Sequence, residues 1–238
     1  YLAYVLFQGN NRLKLRVKDL LIKLTIIKRI ITISVYGISQ FLLSTSSWLV
    51  LIKIIAIFGS APIAAYTITL RLMEFVWLPV WGLGNAAATL VGQNLGANRA
   101  DRAIRSVKLT TKYSLYFMVV FGVLQFVFAS QIMNLFSDNQ EVITYGINCL
   151  KIIACGYPAL AVGMILVQSL NGAGDIKSPA IVNFLSYWVV QIPLAYFLSV
   201  HTDLMGNGVF ISIFVAETIL AILAYLVFQR SKWQEINI

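Results

Sequence analysis

Charge is what this sequence has least of. Charged residues make up 11% of its 238 positions, and only 9 of them are acids. Soluble globular domains carry about a quarter, so an ordinary water-exposed surface cannot be built from this chain. Histidine occurs once, at His201, and cysteine twice, at Cys149 and Cys155. Neither stands at a metal-ligand or redox spacing, which argues against histidine-based catalysis and against a zinc centre. A phosphate-binding Walker loop, a catalytic triad and an HExxH motif are also missing. An enzyme or an ATP-driven pump has nothing to stand on here, and no organic cofactor or metal is expected.

Hydrocarbon fills the space that charge leaves. The chain is 59% apolar, with a mean hydropathy of +0.82. Its charges divide it into six apolar stretches, at residues 30–58, 63–91, 113–136, 142–170, 180–200 and 209–228. Each has about the 20 residues that a helix needs to cross ~30 Å of hydrocarbon. Helices satisfy their backbone polar groups internally, as lipid demands. A β-barrel would instead show alternating segments of ~10 residues, and these stretches are longer and apolar on most faces. The predicted fold class is all-α integral membrane, a bundle of six transmembrane helices.

The formal charge of +9 would point to nucleic acid in a soluble protein. Its placement gives another reading, and no nucleic-acid partner is expected. Lysine and arginine crowd the residues before 30, the connection 92–112 (Arg99, Arg102, Arg105, Lys108, Lys112), Lys177 and the tail after 228. The alternate connections GSAP, SDNQ and HTDLMGNG hold none. By the positive-inside rule the basic side is cytoplasmic, which puts both ends of this chain there.

Residues 12–29, RLKLRVKDLLIKLTIIKR, set Leu13, Val17, Leu20, Leu21, Leu24 and Ile27 on one helical stripe, with Arg16, Lys18 and Lys23 largely outside it. Segment 9–29 therefore reads as a basic amphipathic connection at the inner interface, its cations near anionic membrane lipids. A charged linker that only sets topology is the alternative. Residues 1–8, YLAYVLFQ, read as the end of a preceding transmembrane helix, which makes the sequence a piece of a longer protein. The stretches ATLVGQNLGAN and MILVQSLNGAG are faintly alike, which is compatible with an internal three-helix duplication.

The second stretch carries charges deep among its apolar residues. At steps of three and four, Thr67, Arg71, Glu74, Trp77 or Leu78, Trp81, Asn85 and Thr89 form one continuous face. Ionisable residues inside a membrane usually face a bundle interior or a wet cavity, and are functional by default. Pro79 removes the hydrogen bond to the Phe75 carbonyl and is expected to bend the helix beside Glu74. The structural alternative is that Arg71 and Glu74 neutralise each other and the tryptophans belong to an interfacial belt; Trp77 and Trp81 lie deep for a belt. Glu217, in the sixth stretch, has no cation within a helical turn. At ~1.5 Å per residue it lies ~12 Å from the outer end, and Glu74 ~16 Å. An acid held in low dielectric can bind and release a proton, so Glu74 and Glu217 are the candidate ion-coupling residues. Lys151 reaching either acid across helices is the alternative. Gln40, Gln125, Gln168 and Asn183 are expected to bond between helices at around 0.6 kcal/mol each. Tyr187 and Gln191, one turn apart, either do the same or line a cavity. GLGNAA at 82–87 has the glycine spacing of a dinucleotide site but lacks its strand and βαβ context; in a membrane helix its small residues serve close packing.

The segments WGLGNAAATLVGQNLGANRADRA, YPALAVGMILVQSLNGAGDIKSP and WVVQIPLAYFLS closely resemble the corresponding parts of MATE (multidrug and toxic compound extrusion) transporters, in order and at family spacing. The likeness runs from about residue 30 to the end. It implies that residues 30–238 are the C-terminal lobe, half of a twelve-helix two-lobe transporter whose N-terminal six-helix lobe is a missing partner. It also implies secondary antiport of organic cations or amphipathic drugs against Na⁺ or H⁺, by alternating access, in the inner (plasma) membrane of a bacterium. In the best-known branch, coupling acids of this lobe lie on its first and fourth helices. Neither stretch here has an acid, so coupling falls to Glu74, Glu217 or the missing lobe. On this reading Arg71, Trp77, Trp81, Asn85, Tyr187 and Gln191 contact substrate. A flippase for a lipid-linked sugar or cell-wall precursor, and an inactive truncated product, are the alternatives.

Overall fold

The computed structural model describes residues 23–230 and Trp233, with the Arg29 side chain excepted. All of the expected segment 1–8 and most of the connection 9–29 lie outside the described residues. Among the described residues there is helix and no strand. Six helices among the described residues are long and apolar enough to span a bilayer.

The first, α1 (Leu24–Ala56), leaves a compact unit that ends at Tyr36 and enters a second that begins at Gly37. Its opening turns, set as a charged connection by the sequence reading, are helical from Leu24; Thr32 Oγ1 donates to the Lys28 carbonyl at 2.9 Å. In the second unit follow α2 (Ser60–Gly96), α3 (Ala100–Val127), the short α4 (Ala129–Phe136), and α5 (Gln140–Gly172). The fifth span is composite: α6 (Lys177–Asn183), a π-helical segment (Phe184–Gln191) and α7 (Ile192–Val200). The sixth is α8 (Gly206–Gln229).

The third span departs most from expectation. Residues 113–136 were expected as one helix, but α3 starts at Ala100 and ends at Val127, and α4 carries the rest. Charge-based cutting stopped at the cations, whereas the helix runs under them: Ala103, Val107, Thr110 and Ser114 are buried at steps of three and four while Arg102, Arg105, Lys108 and Lys112 are exposed. Cations at the interface keep their water and leave the backbone ladder intact.

In the fifth span the wide π turns end beside Pro193. Proline has no N–H for the Val189 carbonyl, and the Ile192 N–H reaches back to Tyr187 instead of one residue nearer. Such turns serve to re-aim side chains.

α5 is the central helix. Its most apolar window is 56% buried, twice the share of α2 or α3. Small residues bring its neighbours in. A Cβ on Gly163 would stand 2.5 Å from the Leu220 side chain of α8, and one on Gly172 would stand 2.5 Å from the Ala88 Cα of α2. The core of the second unit centres on Tyr66, Met118, Tyr157, Ile165, Leu170 and Phe210. Burial drives little of this in lipid; close packing and interhelical hydrogen bonds do.

Candidate functional site

α2 has two faces. Ala65, Thr69, Val76, Val80, Gly84, Ala87 and Val91 are buried against the rest of the unit. Opposite them, Thr67, Arg71, Glu74, Trp77, Trp81, Asn85 and Thr89 are all exposed. The helical period thus brings the expected stripe together on one face, but turns that face out of this bundle and not into it. α2 runs through Pro79 without a break. Trp77 and Trp81 stack, with ring centroids 6.0 Å apart and planes 14° from parallel. Arg71 and Glu74 form no ion pair, and Glu74 has no hydrogen-bond partner among the described residues. The neutralising pair weighed from the sequence is not formed.

The second acid is placed differently. Glu217 on α8 is half-buried, and the Tyr187 hydroxyl donates to its Oε1 at 3.2 Å. Lys151 reaches neither acid; its Nζ lies 5.5 Å from the centroid of the Phe126 ring. Glu74 and Glu217 therefore have separate surroundings, one open and one held by a phenol from the π-helical segment.

Tyr187 and Gln191 bond to different helices, α8 and α1. Gln191 is 1% exposed, and its Oε1 accepts from the Ser47 hydroxyl of α1 at 2.8 Å. Of the other four amides, Gln40, Gln125 and Gln168 bond between helices as expected, whereas Asn183 is buried and its side chain forms no hydrogen bond among the described residues. Gln125 Oε1 accepts from the Tyr157 hydroxyl at 2.8 Å, and its Nε2 donates to the Leu150 carbonyl at 3.2 Å. Gln168 Nε2 donates to Asn85 Oδ1 at 3.1 Å, tying the exposed stripe to α5. Gln40 bonds Asn171, a residue the sequence reading left in a loop; its place three after Gln168 was the available signal. Ser47 was missed because a serine in an apolar run carries no sign of its partner. A cavity of about 480 Å³ at the starts of α5 and α8, lined in part by Glu141, Tyr145, Asp203 and Asn207, was also unforeseen. It shares no residue with the stripe.

These features define an all-α integral membrane protein in which one helix presents ionisable and aromatic side chains outside its own bundle. The chain belongs to the MatE family, whose model matches residues 37–197. Two relatives are a "probable multidrug resistance protein YoeA" of Bacillus subtilis (strain 168) and a "probable multidrug resistance protein NorM" of Thermotoga maritima. The first is 26% identical over 81% of this chain and 42% of its own length, the second 25% over 84% and 43%. The chain thus spans less than half the length of those relatives. A crystal structure of MATE in complex with MaL6 superposes with a TM-score of 0.86 at 20% identity, over 98% of this chain and 54% of that one. A MOP superfamily transporter from Pyrococcus furiosus gives 0.87 at 18%, over 98% and 53%. The fold is half a transporter of this kind. The family is one of transporters and not of enzymes.

Proposed function

We propose that this chain is the C-terminal lobe of a secondary antiporter that exports organic cations or amphipathic drugs in exchange for Na⁺ or H⁺. The observation that supports it most is the exposed stripe of α2. A lone lobe in lipid gains nothing from an unpaired Glu74 and two stacked tryptophans on its outer face. Facing a second lobe across a wet cleft, the same groups make a surface for an aromatic cation. Glu74 attracts the charge, and a ring or ammonium lies on the Trp77–Trp81 pair, where cation–π attraction reaches ~2 kcal/mol once water is excluded.

Glu217 is the coupling acid on this reading, with Tyr187 as its hydrogen-bond donor. One proton crossing 100 mV supplies ~2.3 kcal/mol, so a gradient or more than one ion sets the pumping ratio. Alternating access comes from rocking against the N-terminal lobe. The exposed cations at the start of α3 and Arg230 mark the cytoplasmic side. Membrane lipids surround the remaining apolar surface.

Glu74→Gln in the full-length protein is the test. It should reduce export of an aromatic monocation at least tenfold while the protein still reaches the membrane, since a desolvated charge pair contributes well over ~1.4 kcal/mol. Undiminished export removes Glu74 from the mechanism.

A further inference from the structure

Four amide side chains, Gln40 on α1, Asn171 and Gln168 on α5, and Asn85 on α2, form one hydrogen-bonded relay whose direction is set at one end. Gln40 Nε2 donates to the Ile176 main-chain carbonyl at 3.1 Å and to Asn171 Oδ1 at 3.2 Å. A carbonyl only accepts, so the nitrogen of Gln40 must face Ile176 and its oxygen must face away. That oxygen accepts from Asn171 Nδ2 at 3.3 Å. The same Nδ2 donates to Gln168 Oε1 at 3.2 Å, which leaves Gln168 Nε2 to donate to Asn85 Oδ1 at 3.1 Å. With its oxygen held by Gln168, Asn85 is left on the exposed stripe with a nitrogen that has no partner among the described residues.

An isolated asparagine can present either edge. Here a backbone carbonyl three side chains away decides which. Gly84 makes the last link sterically possible, because a Cβ there would stand 3.0 Å from Gln168 Cγ.

We propose that Asn85 is the hydrogen-bond donor of the substrate face and that Gln168 is its positioning residue. Together they select cations that carry an acceptor oxygen at the end remote from their charge. The inference rests on the reading of the α2 stripe as the transport surface. Eleven residues separate Glu74 from Asn85, ~16 Å along the helix, with Trp77 and Trp81 between them. The substrate class is therefore an elongated amphipathic cation: positive group at one end, aromatic middle, carbonyl or ether oxygen at the other.

The experiment compares two aromatic monocations of equal length, one ending in a ketone and one in a pyrrole N–H, as substrates of the full-length protein. In the wild type the ketone should have a KM about tenfold lower, the worth of one good hydrogen bond. Gln168→Glu places a carboxylate, which only accepts, beside Asn85. It should turn the amide over and reverse the ranking, with kcat within about twofold. Asn85→Asp, which leaves the relay in place and presents an acceptor outward, should also reverse it, and serves if the first variant fails to fold. An unchanged ranking in a folded variant, or no ranking in the wild type, overturns the assignment. Glu74→Gln separates the two failures. If it weakens export of both compounds while the ranking ignores Asn85 and Gln168, only this inference falls; if export of both is untouched, the transport surface is elsewhere.

Discussion

A single hydrogen bond separates the two acids that lie within the apolar stretches. Glu217 receives the Tyr187 hydroxyl at 3.2 Å, and Glu74 receives nothing among the described residues. On the proposed function the contrast fits different work: an open acid for a transient cationic guest, and an acid with a fixed donor for repeated occupancy by a small ion. Tyr187→Phe removes the donor and keeps the ring. In proteoliposomes of the full-length protein it should change the half-saturating concentration of the coupling ion by about three- to tenfold, the worth of one hydrogen bond, while leaving substrate KM within twofold. A changed substrate KM with an unchanged ion dependence would move Tyr187 to the substrate face. At this scale the sequence was informative about residue type and poor about partners. Glu74, Glu217, Tyr187 and Gln168 stand out as polar groups in apolar stretches. Ser47 and Asn171 do not, because what makes them matter is a bond across more than a hundred positions.

Helices were legible where their periodicity is uninterrupted and misread where charge enters. α2 reads directly: buried and exposed faces alternate as the 3.6-residue period requires. α3 was cut short because hydropathy treats Arg102–Lys112 as a break, although Ala103, Val107 and Thr110 continue the buried face. The π-helical segment leaves no sign in composition except Pro193 just beyond it. The α2–α5 crossing depends on a missing side chain. Gly172→Leu would drive a branched group into the Ala88 backbone, where no rotamer relieves the clash. Overpacking costs 1–3 kcal/mol in yielding cores, and a rigid backbone yields less. The variant should lower thermal stability in detergent by at least ~3 kcal/mol and disorder the Gln168–Asn85 bond. Stability equal to wild type would show that the two helices can separate here.

At the scale of the whole molecule, the exposed stripe is the feature that a single lobe cannot explain. The chain covers about half of the solved transporter chains it superposes on, and the stripe lies on the surface that half presents. Alternating access makes the prediction concrete. In the full-length protein, with exposed Cys155 and buried Cys149 replaced by alanine, Glu74→Cys should react with a membrane-impermeant thiol reagent. Saturating substrate or a reversed ion gradient should change that rate at least fivefold, because population shifts of this kind follow differential binding. A rate indifferent to both would place the stripe against lipid or a static interface.

Sequence alone determined the class of this protein. Long apolar stretches, sparse acids and one-sided cations leave lipid as the solvent and helices as the only economical way through it, and the spacing of polar residues on α2 follows from helical geometry. What tertiary structure decided was direction: which way the stripe faces, which acid has a donor, and which edge Asn85 shows. Those depend on contacts between helices distant along the chain, and a period of 3.6 residues carries no record of what lies across the gap.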